Sequence, residues 1–308
     1  MKANPTGLHA ISQPAAGTVL ADIVFVHGLG GAAFDTWLHG REGQADHFLW
    51  PEELGKELPG CNVWTFGYDA GITRLGRPGM MIGQRAGNLA TQMKNNGIGS
   101  RPIVFVTHSM GGLIVKALVC DRPAGEFEDM IGNVRAIVFC GTPHSGSAFA
   151  SAAGVLGKFL RVARIQKHVE EMRRDEVALN LMHDRFRAWH KSRPIAIQTY
   201  AESRSMFGNR LFGRLIDLGQ VVPRASANTG CGDSPVDVDA DHLALVKPHP
   251  GDKPLHDTVF LGVMSFICQA LETTSGPPNA PAGLSLADFF KLFESVHVTI
   301  SISPIRQP

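Results

Sequence analysis

The stretch from Pro102 to Val119, PIVFVTHSMGGLIVKALV, constrains this chain more than any other. Ile103 to Val106 is a short apolar, β-rich run of the kind that forms a buried strand. Leu113 to Val119 is apolar almost all round, as a helix packed on a sheet is. Between them, Thr107-His108-Ser109-Met110-Gly111-Gly112 leaves room for one sharp turn. A serine on such a turn, with small residues after it, is held clear of the sheet edge in a strained conformation. Strand, tight turn and helix in succession imply an α/β architecture.

The rest of the chain repeats that alternation. Strands are expected at Leu8–Ser12, Ala21–Val26, Asn62–Tyr68, Val134–Cys140, Pro194–Tyr200 and Gln220–Ala225. Helices are expected from Pro51, over Gly79–Asn95 and over His256–Leu271. The pattern predicts a mostly parallel sheet with helices on both faces. Residues 147–192 read as a long, largely helical insertion, placed where a cap would sit. One α/β domain over residues 1–272 is then followed by a linker-like 273–283, TTSGPPNAPAG, and a tail to residue 308 of unassigned role.

Composition removes several classes. The formal net charge of the 308-residue chain is +1, with no basic run that would suit nucleic acid. The first residues lack the apolar core of a signal peptide, and no run approaches the roughly 18 consecutive apolar residues of a membrane span. The expectation is a cytoplasmic protein without an integral membrane segment, in contact with a membrane at most peripherally. The five cysteines form no C-x-x-C and are read as reduced core thiols, a Cys120–Cys231 disulfide being the alternative. Asp237-x-Asp-x-Asp241 resembles the start of a calcium loop, but His242 and Pro248 stand where glycine and glutamate are required. No H-E-x-x-H or comparable spacing is present, and no metal or cofactor is expected.

The chemistry converges on acyl transfer, which needs a nucleophile, a base, an acid to orient the base, and oxyanion donors. Ser109 is the candidate nucleophile, on a nucleophile elbow in which Thr107 stands in place of the usual first glycine. The alternative, a phosphate-binding βα turn, is disfavoured because no G-x-G-x-x-G or P-loop pattern surrounds it. His242 follows the last expected strand and precedes the last helix, the place for a base, unlike His249 or His256. Glu202 ends the strand between them and is the candidate acid, with Asp217, Asp233 and Asp237 as alternatives. Met110 and Leu29 are the expected backbone donors of an oxyanion hole, the second on the loop His27-Gly28-Leu29-Gly30-Gly31. His27, Gly28, His108 and Phe159 are expected at the substrate; Phe149, Val155, Leu156 and Leu160 are further candidates for an acyl pocket. His108 and His144 flank the site in sequence and are expected to pack or hydrogen-bond there.

These segments resemble the α/β-hydrolase superfamily, and more narrowly its lipase-like group of serine active-site-containing, GPI inositol-deacylase-like and DUF676-type hydrolases. The resemblance rests on DIVFVHGLGG (22–31), LWPEELGKELPGCNVWTFGYDAG (49–71), VTHSMGGLIVKAL (106–118) and FCGTPHSGS (139–147). A looser match runs through VVPRASA (221–227) and DADHLALVKP (239–248). It implies a Ser109–His242–Glu202 triad, a GTPHSG segment at the site floor, and ester substrates, often lipid acyl esters. Small-molecule or lipid esters are therefore the expected partners. Acyl transfer to another alcohol, and a non-catalytic hydrolase-like interaction domain, are the alternative functions.

Overall fold

The computed structural model describes residues 5–14, 19–70, 78–122, 125–159, 169–193, 195–211 and 214–273. Its centre is a seven-stranded sheet. In chain order its strands are β1 (Gly7–Ser12), β2 (Ala21–Val26), β5 (Cys61–Gly67), β6 (Ile103–His108), β7 (Val134–Cys140), β8 (Ala196–Glu202) and β11 (Val236–Val238). Spatially they run β1-β5-β2-β6-β7-β8-β11; β1 pairs antiparallel with β5, and the other pairs are parallel. Two short pairs lie outside it, β3 (Leu38–His39) with β4 (Phe48–Leu49), and β9 (Met206–Leu211) with β10 (Arg214–Gly219).

The central strands are buried on both faces, so each reads as an unbroken apolar run while still alternating sides. In β2, Val24 and Val26 join one core and Ile23 and Phe25 the other; β6 divides likewise, Phe105 against Val104 and Val106. The first core is covered by α2 (Pro78–Asn95), α3 (Met110–Cys120) and α6 (Val169–Ser192), the second by α1 (Trp50–Glu57) and α9 (Gly262–Glu272). In the second core the Phe25 ring meets Trp37 and Trp50 edge-on at 5.0 and 5.5 Å. At the opposite end of the same strand, buried Asp22 is satisfied by Asn62, Trp64 and Arg101, so its charge is not left alone in the core.

Two expectations need correction. Gln220–Ala225 is not a strand: Pro223 has no N–H for a ladder and instead caps the short helix α7 (Arg224–Ala227). The last strand is β11, inside what reads as a polar loop; it has three residues, two of them exposed, and no apolar run to reveal it. The helical insertion divides in two. α5 (Gly146–Phe159) brings Leu156 to a pocket it shares with Leu29, whereas α6 buries Leu179, Met182 and Phe186 in the first core and packs on α3.

The closing helix begins as α8 (Lys253–Leu255), passes through a π-helical stretch (His256–Leu261) and continues as α9. Together, Lys253–Glu272 is long and apolar enough to cross a membrane by length and composition. Here Val259, Val263 and Ile267 are fully buried in the second core.

Candidate active site

Ser109 sits between β6 and α3 with φ 52° and ψ −124°, a conformation costly for any residue with a Cβ. Close packing holds it there. Its N–H donates to the Cys140 carbonyl at 2.9 Å, and the Gly112 N–H donates back to its carbonyl at 3.1 Å. A Cβ on Gly111 would lie 2.1 Å from the Val26 carbonyl oxygen, and one on Gly112 2.3 Å from Thr142 Oγ1. Both glycines are therefore demanded by the approach of α3 to β2 and β7. Thr107, the departure from the usual elbow, is fully buried and donates its hydroxyl to the Val138 carbonyl at 2.8 Å. The extra side chain thus has a place and a partner in the neighbouring strand.

The pairing of β11 with β8 brings the other two candidates together. Val238 lies opposite Glu202, and the chain then turns back through Ala240, whose carbonyl accepts from Arg204 N–H. Asp241 closes that turn by accepting from the Leu243 and Ala244 amides, both at 2.9 Å. His242 Nδ1 consequently lies 2.7 Å from Glu202 Oε2, with both side chains wholly buried. The other carboxylate oxygen, Oε1, accepts from the Val221 and Val222 amides at 2.8 and 2.7 Å. Oε2 then accepts the imidazole Nδ1–H, which leaves Nε2 as the ring's lone-pair nitrogen; buried Nε2 has no hydrogen-bond partner among the described residues.

The alternative acids stand elsewhere. Asp217 accepts from the Gly219 amide, Asp237 pairs with Arg224, and Asp233 is exposed. The other candidate bases are also engaged: His249 stacks on His39 and His256 on Phe260.

Gly141 and His108 complete the surroundings, His108 with the packing and hydrogen bonding expected of it. Gly141 has φ +54°, and a Cβ there would stand 2.9 Å from His242 Nδ1 and 3.0 Å from Glu202 Oε2. Its signal was available in the GTPHSG segment. His108, next to Ser109, donates from Nε2 to the His242 carbonyl at 3.0 Å, and its ring centre lies 4.6 Å from that of His242. Burial holds the His108 pKa well below its usual value, so the ring is neutral. His144, by contrast, is turned away toward Phe139 and His183, at 4.9 and 5.9 Å between ring centres.

The loop after β2 folds against the serine. A Cβ on Gly28 would lie 2.6 Å from Ser109 Cβ, so only glycine permits this approach. Gly30, Gly31 and Ala32 each donate their amides within the protein, to Ala70, Gly28 and Thr36. His27 is braced beneath: Nδ1 donates to the Gly28 carbonyl at 2.9 Å and Nε2 accepts from Tyr68 N–H at 3.3 Å. Its ring stacks on Tyr68 at 4.1 Å, and burial lowers its pKa to about 4. His27 is fully buried with both nitrogens engaged, so it supports the loop, a correction to its expected contact with substrate.

A pocket of about 240 Å³ opens beside this loop. Leu29, Leu156, Leu243 and Val246 give it apolar walls, and His108, Asp35 and Lys247 line the remainder. Burial lowers the Lys247 pKa, and the carboxylates of Asp35 and Asp241 oppose that effect. Of the proposed acyl-pocket residues, Leu156 lines this pocket and Phe149 is buried in the first core. The Phe159 side chain and Leu160 lie outside the described residues. No group of three or more His, Cys, Asp or Glu suited to a metal ion occurs among the described residues.

Residues 22–222 match the family described as "Putative serine esterase (DUF676)". Protein SERAC1 of Mus musculus is 31% identical over 277 residues, 84% of this chain and 40% of that protein. Its Homo sapiens counterpart is 31% identical over 278 residues, 85% of this chain and 40% of that protein. The chain spans about 40% of the length of these curated relatives. Among solved structures, the mature Bacillus licheniformis lipase BlEst2 aligns at 16% identity over 85% of this chain and 99% of that one, with a TM-score of 0.47. With a mostly parallel sheet flanked by helices and a family match over most of the folded region, this chain has the α/β-hydrolase fold and belongs to the DUF676 serine esterase family.

Proposed function

We propose that this protein is a hydrolase of carboxylic esters acting through an acyl-enzyme. Ser109 Oγ attacks the ester carbonyl carbon as its proton passes to His242 Nε2. The amides of Leu29 and Met110 receive the developing oxyanion, Met110 at the first residue of α3, where helix N–H groups lack intrahelical partners. His242 then returns the proton to the leaving alcohol oxygen as the C–O bond breaks. A water molecule repeats the sequence to release the acid and restore Ser109. Glu202 orients His242 and stabilises the imidazolium without taking its proton.

The observation that carries this reading is the buried Glu202–His242 pair at 2.7 Å, its Nε2 unpartnered among the described residues, together with a serine held at φ 52°. A binding scaffold has no need of a buried carboxylate–imidazole pair or a strained serine. The test is hydrolysis of p-nitrophenyl esters from acetate to palmitate by the wild type and Ser109→Ala, with fluorophosphonate labelling. Turnover and labelling lost in Ser109→Ala support the proposal, and the chain-length profile sorts esterase from lipase. A folded wild type that neither cleaves any of these esters nor takes the label overturns it. Product analysis with an added acceptor alcohol separates hydrolysis from acyl transfer.

A further inference from the structure

The pocket beside the Gly28–Gly31 loop carries a charge that the proposed acyl transfer does not use. Its walls belong to the site itself: His108 precedes Ser109, Leu243 follows His242, and Leu29 carries the proposed oxyanion amide. Lys247 also lines it, half-buried, and its Nζ makes no hydrogen bond or ion pair among the described residues. The carboxylates of Asp35 and Asp241 act on it only from beyond ion-pair distance. Asp35 is exposed, and Asp241 directs Oδ1 to the Leu243 and Ala244 amides. A larger groove of about 600 Å³ lies beside α4 (Glu128–Gly132), but its cations are engaged. There Arg193 pairs with Glu128 at 3.3 Å, and Arg135 donates to the Gly132 and Val134 carbonyls. An ammonium half out of water and unpaired is costly, and an anion brought beside it offsets that cost.

Resting on the esterase reading, we propose that Lys247 selects esters that carry an anionic group, a carboxylate or a phosphate, on a short apolar arm. The arm lies among Leu29, Leu156, Leu243 and Val246, and the anion accepts from the Lys247 ammonium. At ~30 Å³ for each water-sized group, a pocket of about 240 Å³ takes about eight non-hydrogen atoms. That is an arm of roughly three to five carbons together with its charged head. A long uncharged chain exceeds this volume and leaves the cation without a partner. Leu29 belongs to both the pocket and the loop that holds the oxyanion, so an arm seated here starts from an ester carbonyl at Ser109.

Calorimetric titration tests the pocket without any turnover. Pentanoate and butyl phosphate should bind at least about tenfold more weakly to Lys247→Met, which keeps the apolar stem, than to the wild type. Pentanol should bind both proteins alike, and the tighter of the two anions names the preferred head. Hydrolysis tests the substrate, with charged esters set against neutral ones of matched length. The acyl side is read with p-nitrophenyl hydrogen glutarate against p-nitrophenyl hexanoate, and the alcohol side with γ-acetoxybutyrate against pentyl acetate. In one of these pairs the wild type should favour the charged ester in kcat/KM, and Lys247→Met should lower that ratio at least about tenfold, through KM. The ratio is taken within one protein, so a smaller folded fraction leaves it unchanged. Anions that bind wild type and variant alike, or bind neither at millimolar concentration, overturn the proposal. So does a charged-to-neutral ratio that Lys247→Met moves in neither pair. A protein that cleaves no ester, yet binds the anions through Lys247, overturns the esterase reading and with it the substrate assignment, and leaves the anion site standing.

Discussion

Replacing Lys116 with methionine should stabilise the protein near neutral pH, although it removes a hydrogen bond. Lys116 lies on α3, fully buried, with Nζ 2.9 Å from His183 Nδ1 and 5.0 Å from the centre of the Phe186 ring. Desolvation lowers its pKa from 10.5 to about 7, with the nearby thiols Cys120 and Cys231 opposing weakly. The surrounding bases offer no compensating charge: His144 and His183 both have lowered pKa values, His183 about 4. At about 1.36 kcal/mol per pKa unit, holding this amine charged in the fold costs on the order of 5 kcal/mol. The unfolded chain binds this proton up to pH 10.5 and the folded chain only up to about 7. Stability therefore rises with pH between those values, and the full cost is felt below 7. Methionine keeps the apolar stem and loses the bond to His183, worth about 1 kcal/mol. Urea unfolding of both proteins at several pH values should show Lys116→Met more stable by about 3–4 kcal/mol near pH 6, the advantage shrinking steadily toward pH 9–10. A stability difference independent of pH, or a variant less stable than wild type at pH 6, refutes the reasoning.

Three other perturbations probe the site. Gly141→Ala places a Cβ 2.9 Å from His242 Nδ1 at φ +54°; it should cost about 1–2 kcal/mol of stability and lower esterase kcat at least about tenfold by displacing the Glu202–His242 pair. Thr107→Gly restores the usual elbow glycine but abandons the bond to the Val138 carbonyl; the melting temperature should fall, at about 2–3 kcal/mol, with kcat per folded molecule changed little. Leu29→Pro deletes the proposed oxyanion N–H and should reduce kcat by about 10²–10³ with KM much less affected, in a protein whose circular dichroism stays native. Equal loss in kcat and in folded fraction would assign Leu29 a structural role instead.

Local sequence was enough to set the alternation of elements and the chemistry each loop end can offer. Ala21–Val26 and Val134–Cys140 are strands over the expected residues, because a strand buried on both faces is an uninterrupted apolar run. The turn at Ser109 was legible because a strand entering a helix within so few residues tolerates only small neighbours, and Gly111 and Gly112 are there. Side-chain candidates were likewise visible: Glu202 ends a strand and His242 lies just past one, although that strand is β11 and not the expected Gln220–Ala225.

Which of those candidates meet, and what holds them, was settled by packing. That Glu202, and not Asp217, Asp233 or Asp237, meets His242 comes from the parallel register of β11 on β8, a three-residue strand with no pattern of its own. The amides of Val221 and Val222 at Glu202 Oε1 could not be read at all, since every residue but proline carries the same N–H. Lys116 reads as one polar position in an apolar helix; its burial depends on His183 and Phe186, supplied from a helix 67 residues away. Periodicity and turn chemistry act between near neighbours and so are written locally. Register, backbone donors and buried charge arise between segments distant in sequence, and exist only once the chain has packed.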